Sequence, residues 1–230
     1  MSRFKKCAKV AHAKLLTFFP EISLGQTQQL LAAALGHKTY SSFSMSDASA
    51  FDGQAAYAVM VPEAAMLRAQ TFGIEMNRKH WDLLISEISE KQVVGDLEIC
   101  QHLQNVYWRA RYEFFDGQHH QIDALSRPYG TVEVFRQLLS EANHVEPAFV
   151  DVGEQLPQDI YVTLQGEICV AKDSTSPVGW GVPVKVEFGF NRIGRRLLTQ
   201  SELTSIQQIA PPRQCNPYDE LDSSGGMNFD

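Results

Sequence analysis

Val182-Pro183-Val184-Lys185-Val186-Glu187-Phe188-Gly189-Phe190 is the stretch on which the fold class turns. Val182, Val184, Val186, Phe188 and Phe190 recur at every second position, with Lys185 and Glu187 between them. A period of two places the apolar set on one face of an extended chain, as in a half-buried strand. Just upstream, Ile160-Tyr161-Val162-Thr163-Leu164 and Glu167 to Ala171 are also β-rich and partly alternating. Gly166, the loop Asp173 to Gly181, and Asn191 to Gly194 mark reversals between them, so 159–199 reads as a β-meander. Toward the N-terminus the period changes. Phe4, Cys7, Ala8, Ala11, Leu15 and Phe18 fall at helical spacing, and that helix must stop before Pro20. The sequence therefore predicts an α+β fold: an N-terminal helical, bundle-like module, a helical middle, and a C-terminal antiparallel meander.

Local signals fill in the order of elements. Ser23-Leu24-Gly25-Gln26 has the form of a capping box opening a second helix to about Leu35, and Gly36 stands where a left-handed C-terminal cap is expected. A third short helix runs from Thr39 to Phe43. Residues 44–56 are small and polar and read as a linker or exposed loop. Pro62 sits early in a helix within Tyr57 to Phe72, and Ile74, Trp81, Leu84, Ile85 and Ile88 mark the next. Val93 to Phe115 fits a helix through Cys100, Leu103, Tyr107, Ala110 and Phe114, and a strand through Val106, Trp108, Ala110, Tyr112 and Phe114. The reading leans to helix early and extended structure late, closed by Asp116-Gly117. Thr131 to Ala142 reads as a helix with Val134, Phe135, Leu138 and Leu139 inward. Leu203, Ile206 and Ile209 suggest a short terminal helix stopped by Pro211-Pro212. The expected organisation is a basic helix-turn-helix-like module at 1–45, an α+β body at 57–210 and a disordered acidic tail at 211–230.

Charge separates the two ends of the chain. The 230 residues carry a net charge of -7, yet residues 1–40 hold six basic residues (Arg3, Lys5, Lys6, Lys9, Lys14, Lys38) against one acid, Glu21. Such asymmetry points to an anion-facing N-terminus on an acidic body; the plainer alternative is a solvated helix face balanced by the protein's own acids. Cys7, Cys100, Cys169 and Cys215 form no CxxC pair, which argues against a disulfide framework or a zinc site of the usual spacing. No apolar run is long enough to span a bilayer, and Lys9, His12 and Lys14 interrupt the one candidate signal segment. A cytoplasmic chain without membrane contact is expected.

Leu31-Ala32-Ala33-Ala34-Leu35-Gly36 resembles the first helix and turn of a helix-turn-helix, with alanine at the crowded crossing and glycine in the turn. Its recognition helix would be His37 to Met45, with His37, Lys38 and Tyr40 near phosphates and no arginine to read base edges. Lys5, Lys6, Lys9, Lys38, Tyr40, Arg192, Arg195 and Arg196 are the candidate nucleic-acid contacts, the three arginines forming a second basic cluster beside a turn. The run Ser23 to Phe43, with its Leu-Ala-Ala-Ala-Leu-Gly-His-Lys-Thr-Tyr-Ser-Ser-Phe core, also resembles a short helical module. That module heads uncharacterised bacterial proteins of plasmids and other mobile elements, including a glyoxalase-associated form; Leu35, Gly36, Tyr40 and Phe43 carry the likeness. It covers about a fifth of the chain and implies a bacterial cytoplasmic origin, but brings no catalytic residue with it.

Other constellations point elsewhere. Asp116, His119, His120 and Asp123 form the densest polar cluster and are the only catalytic candidates, as acid, base or metal ligand; adjacent histidines on a strand face opposite ways, which favours a solvated turn. Trp180 between two glycines and the near-terminal Phe229 are candidate partner-binding aromatics. No GxGxxG, Walker A loop, GxSxG elbow or HExxH occurs, and no cofactor or metal is expected. The leading expectation is a non-enzymatic bacterial accessory protein acting by binding, to DNA or RNA through its basic N-terminus. The alternatives are protein–protein or self-association through the meander, Trp180 or the tail, and a hydrolase at His119 or His120.

Overall fold

The computed structural model describes residues 2–103, 105, 106, 109, 125, 128, 131–137, 155, 156, 158–171 and 179–215. It is mixed α and β, with helices first and strands late, as the sequence predicts. Its helices are α1 (Arg3–Leu15), α2 (Leu24–Ala34), α3 (Tyr40–Ser46), α4 (Ala48–Gly53), α5 (Pro62–Gln70) and α6 (Arg78–Glu90). Its strands are β1 (Tyr57–Val59), β2 (Glu98–Cys100), β3 (Thr131–Gln137), β4 (Asp159–Ala171), β5 (Gly179–Asn191), β6 (Leu197–Leu198), β7 (Glu202–Gln208) and β8 (Arg213–Cys215). The chain divides into two compact units. One comprises Met1–Ala110, Glu146–Tyr161 and Gly189–Glu202; the other comprises Arg111–Val145, Val162–Phe188 and Leu203–Asp230.

The first unit holds α1 to α6 around one apolar core. α1 begins at Ser2, whose hydroxyl accepts the Lys5 N–H, and buries Phe4, Cys7, Ala8, Ala11 and Leu15, the stripe its spacing predicts. α2 opens with the expected capping box, Ser23 with Gln26, a device that contributes about 1 kcal/mol. Its alanines make it slim enough to be covered on several sides: Leu30, Leu31, Ala32, Ala33 and Ala34 are all buried, and it packs on α1, α3 and α5. Residues 1–45 therefore share a core with α5, α6 and Leu197. A small sheet of order β2-β1-β6 completes the unit, with β1 parallel to β2 and antiparallel to β6.

The second unit carries most of a larger sheet of order β3-β4-β5-β7, with β8 paired to β5. Val182, Val184, Val186 and Phe188 of β5 are buried while Lys185 and Glu187 are half-buried, matching the predicted alternation. The predicted meander is interrupted, because β6 leaves for the small sheet before β7 returns to β5.

Several expectations are corrected. Residues 44–56 are not a linker: they finish α3 and form α4, whose Ala50 and Phe51 enter the core. Tyr57 to Phe72 starts with strand β1 before its helix begins at Pro62. The helix expected over Thr131 to Ala142 is strand β3 as far as Gln137, antiparallel to β4 from Thr131↔Ala171 to Gln137↔Gly166. The terminal helix expected at Leu203 to Ile209 is strand β7. Of Val93 to Phe115, the sequence predicts helix early and extended structure late; the described residues run the other way, with strand β2 at 98–100 and helical backbone at 103, 105, 106 and 109. The expected disordered tail begins with β8, antiparallel to Gly179–Gly181; residues 216–230, Phe229 among them, lie outside the described residues. Among the described residues no helix is long and apolar enough to cross a membrane.

Candidate functional site

The end of α2 builds the site. Gly36 has φ +81°, and two bonds close the cap: Gly36 N–H to Ala33 O and His37 N–H to Ala32 O, each 2.9 Å. This is the Schellman pattern, in which glycine takes the left-handed position and the next residue folds back on the helix. His37 is that next residue and is buried. Thr39 then caps α3 by accepting the Ser42 N–H at 3.0 Å. α3 lasts seven residues and ends at Asp47, from which α4 begins.

His37 and Asp47 thus bracket α3, and their side chains meet beneath it. His37 Nε2 lies 2.9 Å from Asp47 Oδ2, and His37 Nδ1 lies 3.4 Å from Ser42 Oγ. The Phe43 ring stands edge-on to the imidazole at 5.4 Å. Asp47 Oδ2 also accepts the Arg195 N–H at 2.6 Å. Burial alone would raise the Asp47 carboxyl; hydrogen bonds from His37, the Arg195 backbone and Ser46 outweigh it and hold the group below its ordinary value. At Gly194 a β-carbon would stand 2.6 Å from the same oxygen, so glycine is what lets the 192–196 loop come this close. Hydroxyl, imidazole and carboxylate stand in the order of a nucleophile, base and orienting acid. With Oδ2 shared between His37 and a backbone N–H, however, the carboxylate acts as a tie between the α2–α3 turn and the 192–196 loop.

Two cavities open beside this tie. The larger, of about 560 Å³, is lined by Ala33, Gly36, Ala64, Leu67 and Thr71 together with His37, Ser42, Lys38, Arg68 and Arg195. The smaller, of about 410 Å³, shares His37, Ser42 and Arg195 with it and adds Asp47, Gln155, Gln158 and Arg192. Arg68 reaches from α5 to donate through Nη2 to Lys38 O at 2.5 Å.

The predicted nucleic-acid contacts are divided by the structure. Lys5, Lys6 and Lys9 are exposed on α1, and among the described residues none of them has a carboxylate partner, whereas Lys14 pairs with Glu87 at 3.3 Å. Tyr40 is half-buried, stacked on Phe4 with centroids 5.4 Å apart, and its N–H donates to Gln29 Oε1. That stack sets the first turn of α1 beside the first turn of α3. Lys38 and Arg195 share the larger cavity, while Arg192 is bonded to Gln155 and Gln158. Arg196 is 1% exposed and so cannot reach a phosphate of a duplex; His37 is buried beneath α3 and reaches only the cavities beside it. Trp180 lies in β5 rather than in a loop, opposite Gln214 of β8, and is 36% exposed. Asp116, His119, His120 and Asp123 lie outside the described residues, and among those described no cluster of His, Cys, Asp and Glu could hold a metal.

The sequence reading missed Arg68, Leu67 and the His37–Asp47 pair. A ten-residue separation across a helix cap carries no periodic signal, and Arg68 in the last turn of α5 is placed only by the packing of α5 on α2. No family model, curated protein or solved structure matches this chain.

Proposed function

We propose that this is an accessory protein of bacterial mobile DNA that works by binding, its first unit lying against the phosphate backbone of nucleic acid. The observation that carries the reading is the exposed set Lys5, Lys6 and Lys9 on α1, without a carboxylate partner among the described residues and beside the start of α3. Lysines on one helix face supply the point charges that release counterions from a duplex. The exposed positions of α3 are Ser41, Ser42, Ser44, Met45 and Ser46, all short or uncharged. Serine hydroxyls bond phosphates and either base type, while the bidentate guanine contact needs arginine. Contact to the backbone with little sequence preference is the mode this surface fits.

The test uses point variants in the full chain, because Phe4, Leu30, Leu31 and Phe43 belong to the core and deleting residues 1–45 would unfold the first unit. Fluorescence anisotropy with a short DNA duplex across a salt series gives affinity and its salt slope. Replacing Lys5, Lys6 and Lys9 with alanine removes up to three phosphate contacts, so the slope should fall by about 2–3 and the affinity at low salt by on the order of 100-fold. An unchanged slope and affinity would exclude α1 as the contact.

A further inference from the structure

The larger cavity combines features that a phosphate-backbone contact does not use. Lys38 and Arg68 line it with Arg195, no carboxylate is among the described residues of its wall, and neither Lys38 nor Arg68 has an acidic partner among the described residues. The Lys38 carbonyl fixes the Arg68 guanidinium through one of its five N–H groups. The rest of the wall includes apolar side chains: Ala33 belongs to α2, Ala64 and Leu67 to α5, and Leu67, 55% exposed, is among the large apolar side chains of the described residues left facing solvent. Ser42 and Thr71 add hydroxyls. A volume of about 560 Å³ lies within the range of small-molecule sites, which pair a mostly apolar wall with a few convergent polar groups.

We propose that this cavity binds a small organic oxyanion, a phosphate or carboxylate head joined to a compact apolar body. The head sits between Arg68 and Lys38, where a planar guanidinium offers paired N–H donors and the ammonium adds charge. The body covers Leu67 and the alanines, removing from water the apolar surface that is otherwise exposed. This site stands apart from the nucleic-acid reading: it uses none of the α1 lysines, and an uninterrupted phosphodiester chain has no apolar body to place on Leu67.

Calorimetric titration of the full chain tests this with phenyl phosphate and benzoate, against inorganic phosphate and phenol. Saturable binding by either aromatic anion, at least about tenfold tighter than inorganic phosphate or phenol, is expected, and which of the two is stronger identifies the head. Arg68→Gln should weaken that binding by about tenfold and Leu67→Asn by about threefold, while duplex binding by the Leu67→Asn variant stays at the parent value. Leu67 is exposed, so its replacement leaves the fold intact even if loss of the Arg68–Lys38 bond loosens the turn. Absence of saturable binding by both aromatic anions overturns the proposal. So does binding by inorganic phosphate as tight as by phenyl phosphate, or affinities indifferent to both substitutions.

Discussion

Removing the Asp47 carboxylate should unfasten the α2–α3 turn of the first unit from the 192–196 loop. In Asp47→Ala the His37 Nε2–H and the Arg195 N–H both lose their acceptor, at former distances of 2.9 and 2.6 Å. The Asp47 side chain is 7% exposed and that of His37 1%, so water cannot easily replace the lost oxygen. A hydrogen bond to a charged group contributes about 1.5–3 kcal/mol, and breaking a buried pair costs about 3–5 kcal/mol. The expected loss is therefore about 3–5 kcal/mol, or on the order of 10 °C in Tm for a chain of this size. Amide hydrogen exchange within α2 reads the stability of the first unit without assuming that both units unfold together. A cycle with His37→Ala should show a coupling of at least about 1 kcal/mol, because each substitution removes the same bond. The pH dependence has a definite sign. A carboxyl held below its ordinary value of 3.8 contributes stability that is complete above that value and is lost as pH falls through the lowered folded value. Asp47→Asn should flatten this acid limb. A loss below about 1 kcal/mol, strict additivity with His37→Ala, or an unchanged acid limb in Asp47→Asn would refute the tie.

Two further outcomes follow from the packing. A β-carbon on Gly181 would collide with the Glu167 carboxylate, which is buried and held by the Arg213 fork at 2.9 Å on both oxygens. Gly181→Ala should cost the second unit about 2–4 kcal/mol by hydrogen exchange in β5, while Gly53→Ala, with open space around it, should shift stability by less than about 1 kcal/mol; equal effects would contradict the collision. Burial, with a nearby carboxylate (Asp52 for Cys7, Glu98 for Cys100), pushes the Cys7 and Cys100 thiols up to about 12. Peptide mapping after iodoacetamide at pH 8 should find both unmodified in the native protein and modified in urea; rapid native labelling would show that the core opens.

What the sequence made legible is what neighbouring residues decide. The α1 stripe, the Ser23 capping box, the Gly36 cap and the β5 alternation each depend on contacts within a few positions, and all stand in the structure. The misread strands share one cause. Leu203, Ile206 and Ile209 have helical spacing, but the bonding capacity of β5 claims that backbone: Ile209 N–H donates to Pro183 O, and Thr204 and Ser205 bond Glu187. β3 is likewise set by β4, whose partners run from Gly166 opposite Gln137 to Ala171 opposite Thr131, and β1 is too short to announce itself without β2 and β6. In the candidate site Lys38 and Arg195 were visible as charges, but nothing local tells the half-exposed Arg195 from the buried Arg196, one position away. Asp47 was hidden in a small, polar stretch because its partners are ten and 148 residues distant.

The division of the chain bears on how the protein is made. The chain passes between its two units at 110/111, 145/146, 161/162, 188/189 and 202/203, so neither unit is a continuous stretch of translated polypeptide. Helices α1 to α6 leave the ribosome before the strands they meet: β6, which pairs with β1, and the loop that meets Asp47 are encoded close to residue 200. At about 5–20 residues per second, the helices wait roughly 5–20 s for those partners. Through that interval the edge of β1 that later takes β6 stays open, and Asp47 has His37 but lacks the Arg195 N–H. The same wait explains in advance why fragments ending near residue 110 should aggregate when expressed alone.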